Sequence, residues 1–171
     1  DTILACAKHY AAYGQAQAGR DYHSTDMSER ELWDTYLPPF KATVDAGVGS
    51  FMTAFNDLNG VPATANHYLI KDILKHRWGF DGFVVTDWNG HKFVEGCDLE
   101  QCAGAINAGV DVLMVPEHFE AFYHNTVAQV RQGIIPQARI DDAVRRFLRA
   151  KIRWGLLLRG KPSSRVESGT D

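Results

Sequence analysis

The sequence predicts an α/β fold, specifically the C-terminal half of a (β/α)8 TIM-type barrel with four parallel strands and intervening helices. Short runs of β-branched or aromatic residues alternate with longer segments of helical periodicity, which is typical of βα units and a parallel sheet. Three of the four strands end in polar or sulfur-containing side chains, the place where barrels carry reactive groups. These side chains are Lys8 with His9, Met52 with Asn56, and Asp87 with Trp88. The 171 residues are too few for the roughly 250 of a complete barrel.

The predicted strands are short apolar runs bounded by turn-forming residues. The third run is almost wholly apolar and ends in Asp87, which is the pattern of a strand buried on both faces. Turn formers, including Asn59-Gly60, separate the second run from the helix that follows it. The strands are expected at 4–10, 50–55, 83–87 and 111–115.

The predicted helices follow the strands and carry recognisable ends. Ser28 stands three residues before Glu31, the spacing of a capping box, and Asn66 caps the next helix. Gly47 and Gly109 are expected to end the first and third helices. The helices are expected at 28–45, 66–78, 99–107, 118–132 and 136–154. A barrel domain over 1–158 and a tail or linker over 159–171 complete the predicted organisation.

The composition excludes several classes of protein. The chain is 45% hydrophobic and 23% charged, as expected for a globular domain with an apolar core. A formal net charge of −3, without a basic stripe, argues against nucleic acid as a partner. The sequence contains no run of about 18 apolar residues, so it predicts no membrane span. These features favour a neutral small molecule as the ligand.

The three cysteines are too few for a disulfide scaffold. Cys6 stands in an apolar run and is expected to be a buried free thiol. Cys97 and Cys102 stand in a loop-like stretch, where either a local bridge or two unpaired thiols fit the sequence.

Asp87 is the leading candidate for a functional residue. An ionised carboxylate at the end of an apolar strand is costly to bury without a partner or ligand, although an Asp that caps the next turn gives the same pattern. Trp88 is either a core aromatic or a flat surface for a sugar ring. Lys8 and His9 supply hydrogen-bond donors at the same end of the sheet, which suit vicinal hydroxyls, and a nearby cation keeps a carboxylate ionised.

Several motifs follow one another along the chain from about Ala5 to Leu157. They are Lys8-His9-Tyr10, Gly19-Arg20-Asp21-Tyr22, Met27-Ser28-Glu29-Arg30-Glu31-Leu32, Tyr36-Leu37-Pro38-Pro39-Phe40, Ser50-Phe51-Met52-Thr53-Ala54-Phe55-Asn56, Trp78-Gly79-Phe80-Asp81-Gly82-Phe83-Val84-Val85-Thr86-Asp87-Trp88 and Asn107-Ala108-Gly109-Val110-Asp111. In this order they resemble glycoside hydrolase family 3, and in particular its bacterial periplasmic β-glucosidases and exo-acting glucan β-glucosidases.

The resemblance implies a role for each candidate residue. Asp87 matches the catalytic nucleophile, and Lys8 and His9 match the pair that grips hydroxyls of the sugar at the cleavage site. The resemblance also implies that three more residues line that subsite: Met52, Trp88 and Arg20. The family often has Tyr at the position of Phe55, so this chain must orient Asp87 through other donors.

The resemblance also implies a reaction: retaining, exo-acting hydrolysis of terminal non-reducing β-D-glucosyl residues by double displacement, without a metal or cofactor. In the glucosidases of this family the acid/base comes from a following domain. We therefore expect the chain to be a piece of a larger enzyme, inactive alone, whose partners are a β-glucoside or β-glucan oligosaccharide, the other barrel half and that domain. A periplasmic or secreted location is implied in the same way.

Three other functions compete with this interpretation. A sibling branch cleaves N-acetylglucosaminides with an Asp-x-His dyad, and Asp21-Tyr22-His23 fits its spacing but not its usual Pro-Gly-His-Gly context. A metal-dependent hydrolase would use His9, Asp21, His23 and Asp87 as ligands, although their spacing matches no compact zinc pattern. A noncatalytic sugar-binding fragment is the third.

Overall fold

The computed structural model describes residues 3–157, and the predicted tail at 159–171 lies outside them. A parallel sheet of three strands forms the centre, with the order β1 (Cys6–Tyr10), β2 (Ser50–Thr53) and β5 (Phe83–Val85). Phe51 pairs with Ala7 on one side and Val84 on the other. The carboxyl ends of all three strands therefore lie at the same edge of the sheet.

The predicted fourth strand at 111–115 is reduced to a single parallel bridge between Val85 and Val112. Backbone hydrogen bonds form this bridge, because the amide of Thr86 donates to the carbonyl of Val112 and the amide of Val112 donates to that of Val84, both at 3.0 Å. Side chains supply the contacts on either side of it. The Asp111 carboxylate accepts from the amide of Val84 at 2.9 Å, and the amide of Met114 donates to the Thr86 hydroxyl at 2.8 Å. The prediction of four parallel strands is thus corrected to three parallel strands among the described residues, with an extended segment beside β5.

The helices flank the sheet within a few residues of their predicted positions. The hydroxyl of Ser28 accepts the amide of Glu31 at 3.1 Å, and the side chain of Asn66 accepts the amide of Leu69 at 3.1 Å, so both predicted caps form. The first predicted helix is divided at Pro38, which lacks an amide hydrogen. The helical segments are α1 (Glu29–Glu31) with the π-helical turn Leu32–Tyr36, α2 (Pro38–Asp45), the π-helix Tyr68–Arg77, α3 (Ala103–Ala108), α4 (Phe119–Arg131) and α5 (Gln137–Arg153).

The loops after β1 and β2 are tied together at the carboxyl edge of the sheet. A two-stranded antiparallel hairpin, β3 (Asp57–Leu58) and β4 (Val61–Pro62), follows β2. The buried amide of Asn56 donates to the hydroxyl of Thr25 at 3.1 Å. Thr25 itself pairs with Leu58. These contacts fix the loop that contains residues 20–23 against the end of β2.

An aromatic core holds the sheet against its first helices. The ring of Tyr10 lies 5.4 Å from that of Phe51 and 5.1 Å from that of Phe40, in edge-to-face arrangements. Phe51 also contacts Phe80 at 4.9 Å. Each fully buried aromatic of this kind contributes about 1.5–3 kcal/mol through removal of apolar surface from water.

A buried ion cluster joins the 111–115 segment to two helices. The Asp111 carboxylate, whose side chain is fully buried, contacts the ammonium of Lys75 at 2.8 Å and the guanidinium of Arg139. Asp142 also contacts both cations. Burial lowers the pKa of Lys75 to about 8, although Asp111 opposes that shift.

Two of the three cysteines form a disulfide, and the third is an exposed thiol. Cys97 and Cys102 form a disulfide, which decides between the two alternatives that the sequence left open. Cys6 is exposed, contrary to the prediction of a buried thiol. It stands on β1, an edge strand among the described residues, so the apolar run around it is only partly covered. No helix within 3–157 has the length and apolar character needed to cross a bilayer.

Candidate active site

His9 and Asp87 meet at the carboxyl edge of the sheet. His9 lies near the end of β1, and Asp87 lies two residues beyond the end of β5. Nε2 of His9 is 3.2 Å from Oδ2 of Asp87, so a proton on that nitrogen is donated to the carboxylate. The side chains are 29% and 16% exposed. The carboxylate is therefore held in place while part of it remains accessible from solvent.

A second donor orients the other oxygen of Asp87. The backbone amide of Trp88 donates to Oδ1 at 2.7 Å. The chain then turns back, because the carbonyl of Asp87 accepts the amide of Gly90 at 3.0 Å and Asn89 adopts a left-handed conformation. We expected donors other than a Tyr hydroxyl to orient Asp87, and the structure has two such donors. These donors are the imidazole of His9 and the amide of Trp88.

Lys8 and Met52 lie beside this pair. Lys8 is an exposed residue of β1, in the stretch where the pairing with β2 is interrupted between Ala7 and Tyr10. Met52 is half-buried on β2 and pairs with Val85, two residues before Asp87. Both therefore stand at the edge of the sheet that carries the carboxylate.

Trp88 and Arg20 are both exposed to solvent. Trp88 is 56% exposed and presents its indole to solvent beside Asp87. Arg20 is exposed in the loop after β1, and its side chain donates no hydrogen bond to any residue within 3–157. The structure thus brings His9 and Asp87 into contact and places Met52 on the strand between theirs. Arg20 makes no hydrogen bond or ion pair with either residue of this pair within 3–157.

Asp21 and His23, the residues of the alternative dyad, share no hydrogen bond or ion pair. The Asp21 carboxylate accepts from the hydroxyl of Tyr13 and from the amide of Tyr22, and His23 contributes only its backbone amide to a turn with Arg20. Burial and the hydrogen bond to Asp21 raise the pKa of Tyr13 above its ordinary range. In the part of the chain that the structure describes, no three His, Cys, Asp or Glu side chains are grouped to hold a metal ion.

Three further residues near the Asp87 loop were given no role from the sequence. The side chain of Asn89 donates to Glu117 at 3.3 Å, which brings a second carboxylate to the loop that follows Asp87. His91 is fully buried against Phe122, and burial lowers its pKa. The signal that could have identified them is their position in the sequence. Asn89 and His91 come directly after Asp87, and Glu117 follows the fourth predicted strand.

Comparison with known proteins identifies the family. The model described as "Glycosyl hydrolase family 3 N terminal domain" matches residues 1–150. A periplasmic β-glucosidase of Salmonella typhimurium is 38% identical over 160 residues, which are 91% of this chain and 20% of that protein. The chain thus spans about a fifth of the length of this relative.

Solved structures agree with this match. The exo-1,3/1,4-β-glucanase from a Pseudoalteromonas species is 57% identical with a TM-score of 0.94, and the alignment covers 97% of this chain and 21% of that chain. A mutant β-glucosidase from Listeria innocua, solved in complex with laminaribiose, is 34% identical with a TM-score of 0.82, covering 91% of this chain and 22% of that chain.

Proposed function

Because this chain belongs to glycosyl hydrolase family 3, we propose that the enzyme of which it forms part is a retaining, exo-acting β-glucosidase that releases terminal non-reducing β-D-glucosyl residues. The observation that carries the proposal is the carboxylate of Asp87, oriented by His9 and the amide of Trp88 at the carboxyl edge of a parallel sheet and still partly exposed. A nucleophile needs this combination of fixed geometry and access to the substrate.

The proposed reaction is a double displacement. A carboxylate oxygen of Asp87 attacks the anomeric carbon, the glycosidic C–O bond breaks, and a second carboxyl group protonates the leaving oxygen. Water then attacks the anomeric carbon of the glycosyl ester, gives its proton to the same second group and releases Asp87. Both displacements invert the anomeric carbon, so the product retains the configuration of the substrate. The two carboxyl groups should lie about 5–5.5 Å apart.

The remaining residues of the site have binding roles in this proposal. Lys8 and His9 bind hydroxyls of the glucosyl unit that is cleaved, and Met52 and Trp88 provide its apolar contacts. Arg20 supplies a further cation from the loop after β1. The hydrogen bond from His9 also holds the Asp87 carboxylate in a fixed orientation.

Names of relatives support the substrate class. One solved relative is an exo-1,3/1,4-β-glucanase, and another was solved in complex with laminaribiose, a glucose disaccharide. We therefore propose β-glucosides and short β-glucan oligosaccharides as substrates. The hydrogen bond from the Tyr13 hydroxyl to Asp21 disfavours the N-acetylglucosaminidase alternative, because that dyad requires the Asp to interact with the His.

The rest of the parent enzyme is proposed to complete the barrel and to supply the acid/base. Large apolar side chains stand exposed on the outer surfaces of α4 and α5, including Phe119, Tyr123, Val144 and Leu148 at 42–65% exposure. Such a surface in a single domain is typical of an interface. Without these missing parts the chain alone should be inactive.

A periplasmic or secreted location is proposed on two grounds. A relative is named a periplasmic β-glucosidase, and the Cys97–Cys102 disulfide fits an oxidising compartment.

Trapping of the glycosyl-enzyme tests the nucleophile. A 2-deoxy-2-fluoro-β-glucoside with a good leaving group should label the parent enzyme, because fluorine slows hydrolysis of the ester by destabilising its oxocarbenium-like transition state. Digestion and mass spectrometry should locate the sugar on the peptide that contains Phe83–Val85 and Asp87. Asp87→Asn should abolish labelling and reduce kcat by several orders of magnitude, whereas the exposed control Asp34→Asn should do neither. Labelling of another carboxylate, or an inverted product, would contradict the assignment.

A further inference from the structure

We propose that Asn89 and Glu117 are positioning residues for the Asp87 carboxylate, because their hydrogen bond fixes the loop that follows Asp87 against the chain just before α4. The side-chain nitrogen of Asn89 donates to the carboxylate of Glu117 at 3.3 Å. This inference rests on the proposed function. It extends that function from the residues proposed to face the sugar to a pair that acts on the nucleophile through its loop.

The chain is attached to the 111–115 segment immediately before Asp87. The amide of Thr86 donates to the carbonyl of Val112 at 3.0 Å, and the hydroxyl of Thr86 accepts the amide of Met114 at 2.8 Å. Thr86 is fully buried, so these bonds are shielded from water. They fix the backbone up to the residue that precedes the carboxylate.

A second attachment follows Asp87 and depends on Asn89. The backbone amide of Asn89 donates to the carbonyl of Met114 at 3.1 Å, and its side chain reaches Glu117. Asp87 and Trp88 therefore form a short span between two fixed points. Substitution can remove only the side-chain part of this attachment, because every residue except proline has a backbone amide hydrogen.

The backbone and the chemistry of Asn89 suit this role. Its φ of 50° is left-handed, a conformation that Asn adopts more readily than most residues. The residue is only 9% exposed. An ionised carboxylate accepts hydrogen bonds and donates none, so the NH2 group of Asn89 must face Glu117. A hydrogen bond to a charged group is stronger than one between neutral groups, and this one is therefore an effective restraint.

Glu117 is held close to α4, which makes it a firm partner for Asn89. The next residue, His118, has Nδ1 at 3.3 Å from Oε1 of Glu100. The carbonyl of Glu100 in turn accepts the side chain of Asn125, a residue of α4, at 3.1 Å. Glu117 thus stands where the chain enters a helix that is also bonded to the preceding loop.

The position of the loop decides whether His9 reaches Asp87. Nε2 of His9 comes from β1 and lies 3.2 Å from Oδ2 of Asp87. A displacement of the carboxylate by about 0.5 Å away from β1 would take this separation beyond hydrogen-bond range. Attack on carbon also needs the reacting atoms at about 3–3.5 Å. We therefore expect the Asn89–Glu117 bond to change the rate of attack far more than the binding of the sugar.

The test measures trapping of the full-length parent by the 2-deoxy-2-fluoro-β-glucoside. The maximal labelling rate reports attack by Asp87, and the half-saturating concentration reports binding. Asn89→Gly, which suits a left-handed backbone, and Glu117→Ala should each lower the maximal rate about tenfold to a hundredfold and change the half-saturating concentration less than about threefold. Asn125→Ala is the matched control, because it removes an asparagine hydrogen bond to Glu100 and should change neither value.

Exchange of donor and acceptor separates positioning from a general loss of structure. Asn89→Asp alone sets two carboxylates against each other and should slow labelling at least as much as Asn89→Gly. Asn89→Asp combined with Glu117→Gln reverses the hydrogen bond and should return the labelling rate to within about threefold of wild type. Because Glu117 is exposed, Glu117→Ala carries the test even if a variant at the buried Asn89 does not fold.

Several results would overturn the inference. A lower Tm with an unchanged labelling rate in Asn89→Gly and Glu117→Ala would assign the pair a role in stability alone. An equal loss of rate in Asn125→Ala would point to a general effect of loosening α4. An exchange variant no faster than Asn89→Asp would show that the hydrogen bond is not what places Asp87. The proposed function fails separately, because wild-type parent would then carry no label on Asp87.

Discussion

Nε2 of His9 lies 3.2 Å from Oδ2 of Asp87, although their strands are not neighbours. In the order β1-β2-β5, β2 separates them, so the two side chains meet across its carboxyl end. Strands that flank a third strand are about 9–10 Å apart. The contact therefore depends on both side chains extending toward each other over the end of β2.

Loss of the His9 imidazole should impair activity of the parent enzyme. We expect His9→Ala to lower kcat/KM for a β-glucoside by about tenfold to a hundredfold, the value of a hydrogen bond to a charged group. His67 forms a similar contact with Asp72 on the exposed surface, at 3.3 Å, and is the matched control. His67→Ala should leave the kinetics unchanged. Equal effects of the two substitutions would show that the His9–Asp87 contact is incidental.

Asp111 should be critical for stability. Asp111→Ala would leave the buried cations Lys75 and Arg139 without their shared carboxylate, which costs about 3–5 kcal/mol in comparable buried pairs. The exposed pair of Arg30 and Asp34 offers a contrast, since Asp34→Ala should cost less than about 1 kcal/mol. Urea unfolding of the parent enzyme measures both. A loss below about 1 kcal/mol for Asp111→Ala would contradict this account of the cluster.

His91 should make stability depend on pH. Burial lowers its pKa in the folded state, so below the ordinary His pKa of about 6.5 the unfolded chain binds a proton that the folded chain resists. The stability that neutral His91 contributes is therefore fully present above about pH 6.5. It is lost as the pH falls toward the lowered pKa of His91 in the folded state. His91→Leu should reduce the difference in Tm between about pH 7.5 and about pH 5, whereas the exposed control His124→Leu should preserve it.

The Cys97–Cys102 bridge should stabilise the loop that carries Phe93. A bridge across so few residues restricts the unfolded chain by about 2 kcal/mol in the chain-entropy model. The double substitution Cys97→Ser with Cys102→Ser should therefore lower the free energy of unfolding by about that amount, and reducing agent should do the same to the wild type. Cys6→Ser, at the exposed free thiol, is the control and should have little effect. Insensitivity of the wild type to reductant would argue against the bridge.

Local patterns in the sequence determined much of the architecture. The caps at Ser28 and Asn66 form because a cap needs only a polar side chain and an amide three residues away. The order of strands and helices, and the placement of Asp87 at a strand end, likewise follow from short-range periodicity. The family resemblance added expected roles for the same residues, because the motifs that carry it are contiguous in the sequence.

The tertiary structure alone decided the contacts between distant segments. The fourth predicted strand keeps one backbone bridge to β5, and the side chains of Asp111 and Thr86 make the contacts beside that bridge, which no periodicity encodes. The meeting of His9 with Asp87 across β2 depends on register and side-chain reach. The pairing of Asn89 with Glu117 depends on how separate loops pack. A chain specifies these distances only after it folds, because they arise from packing between residues that are far apart in sequence.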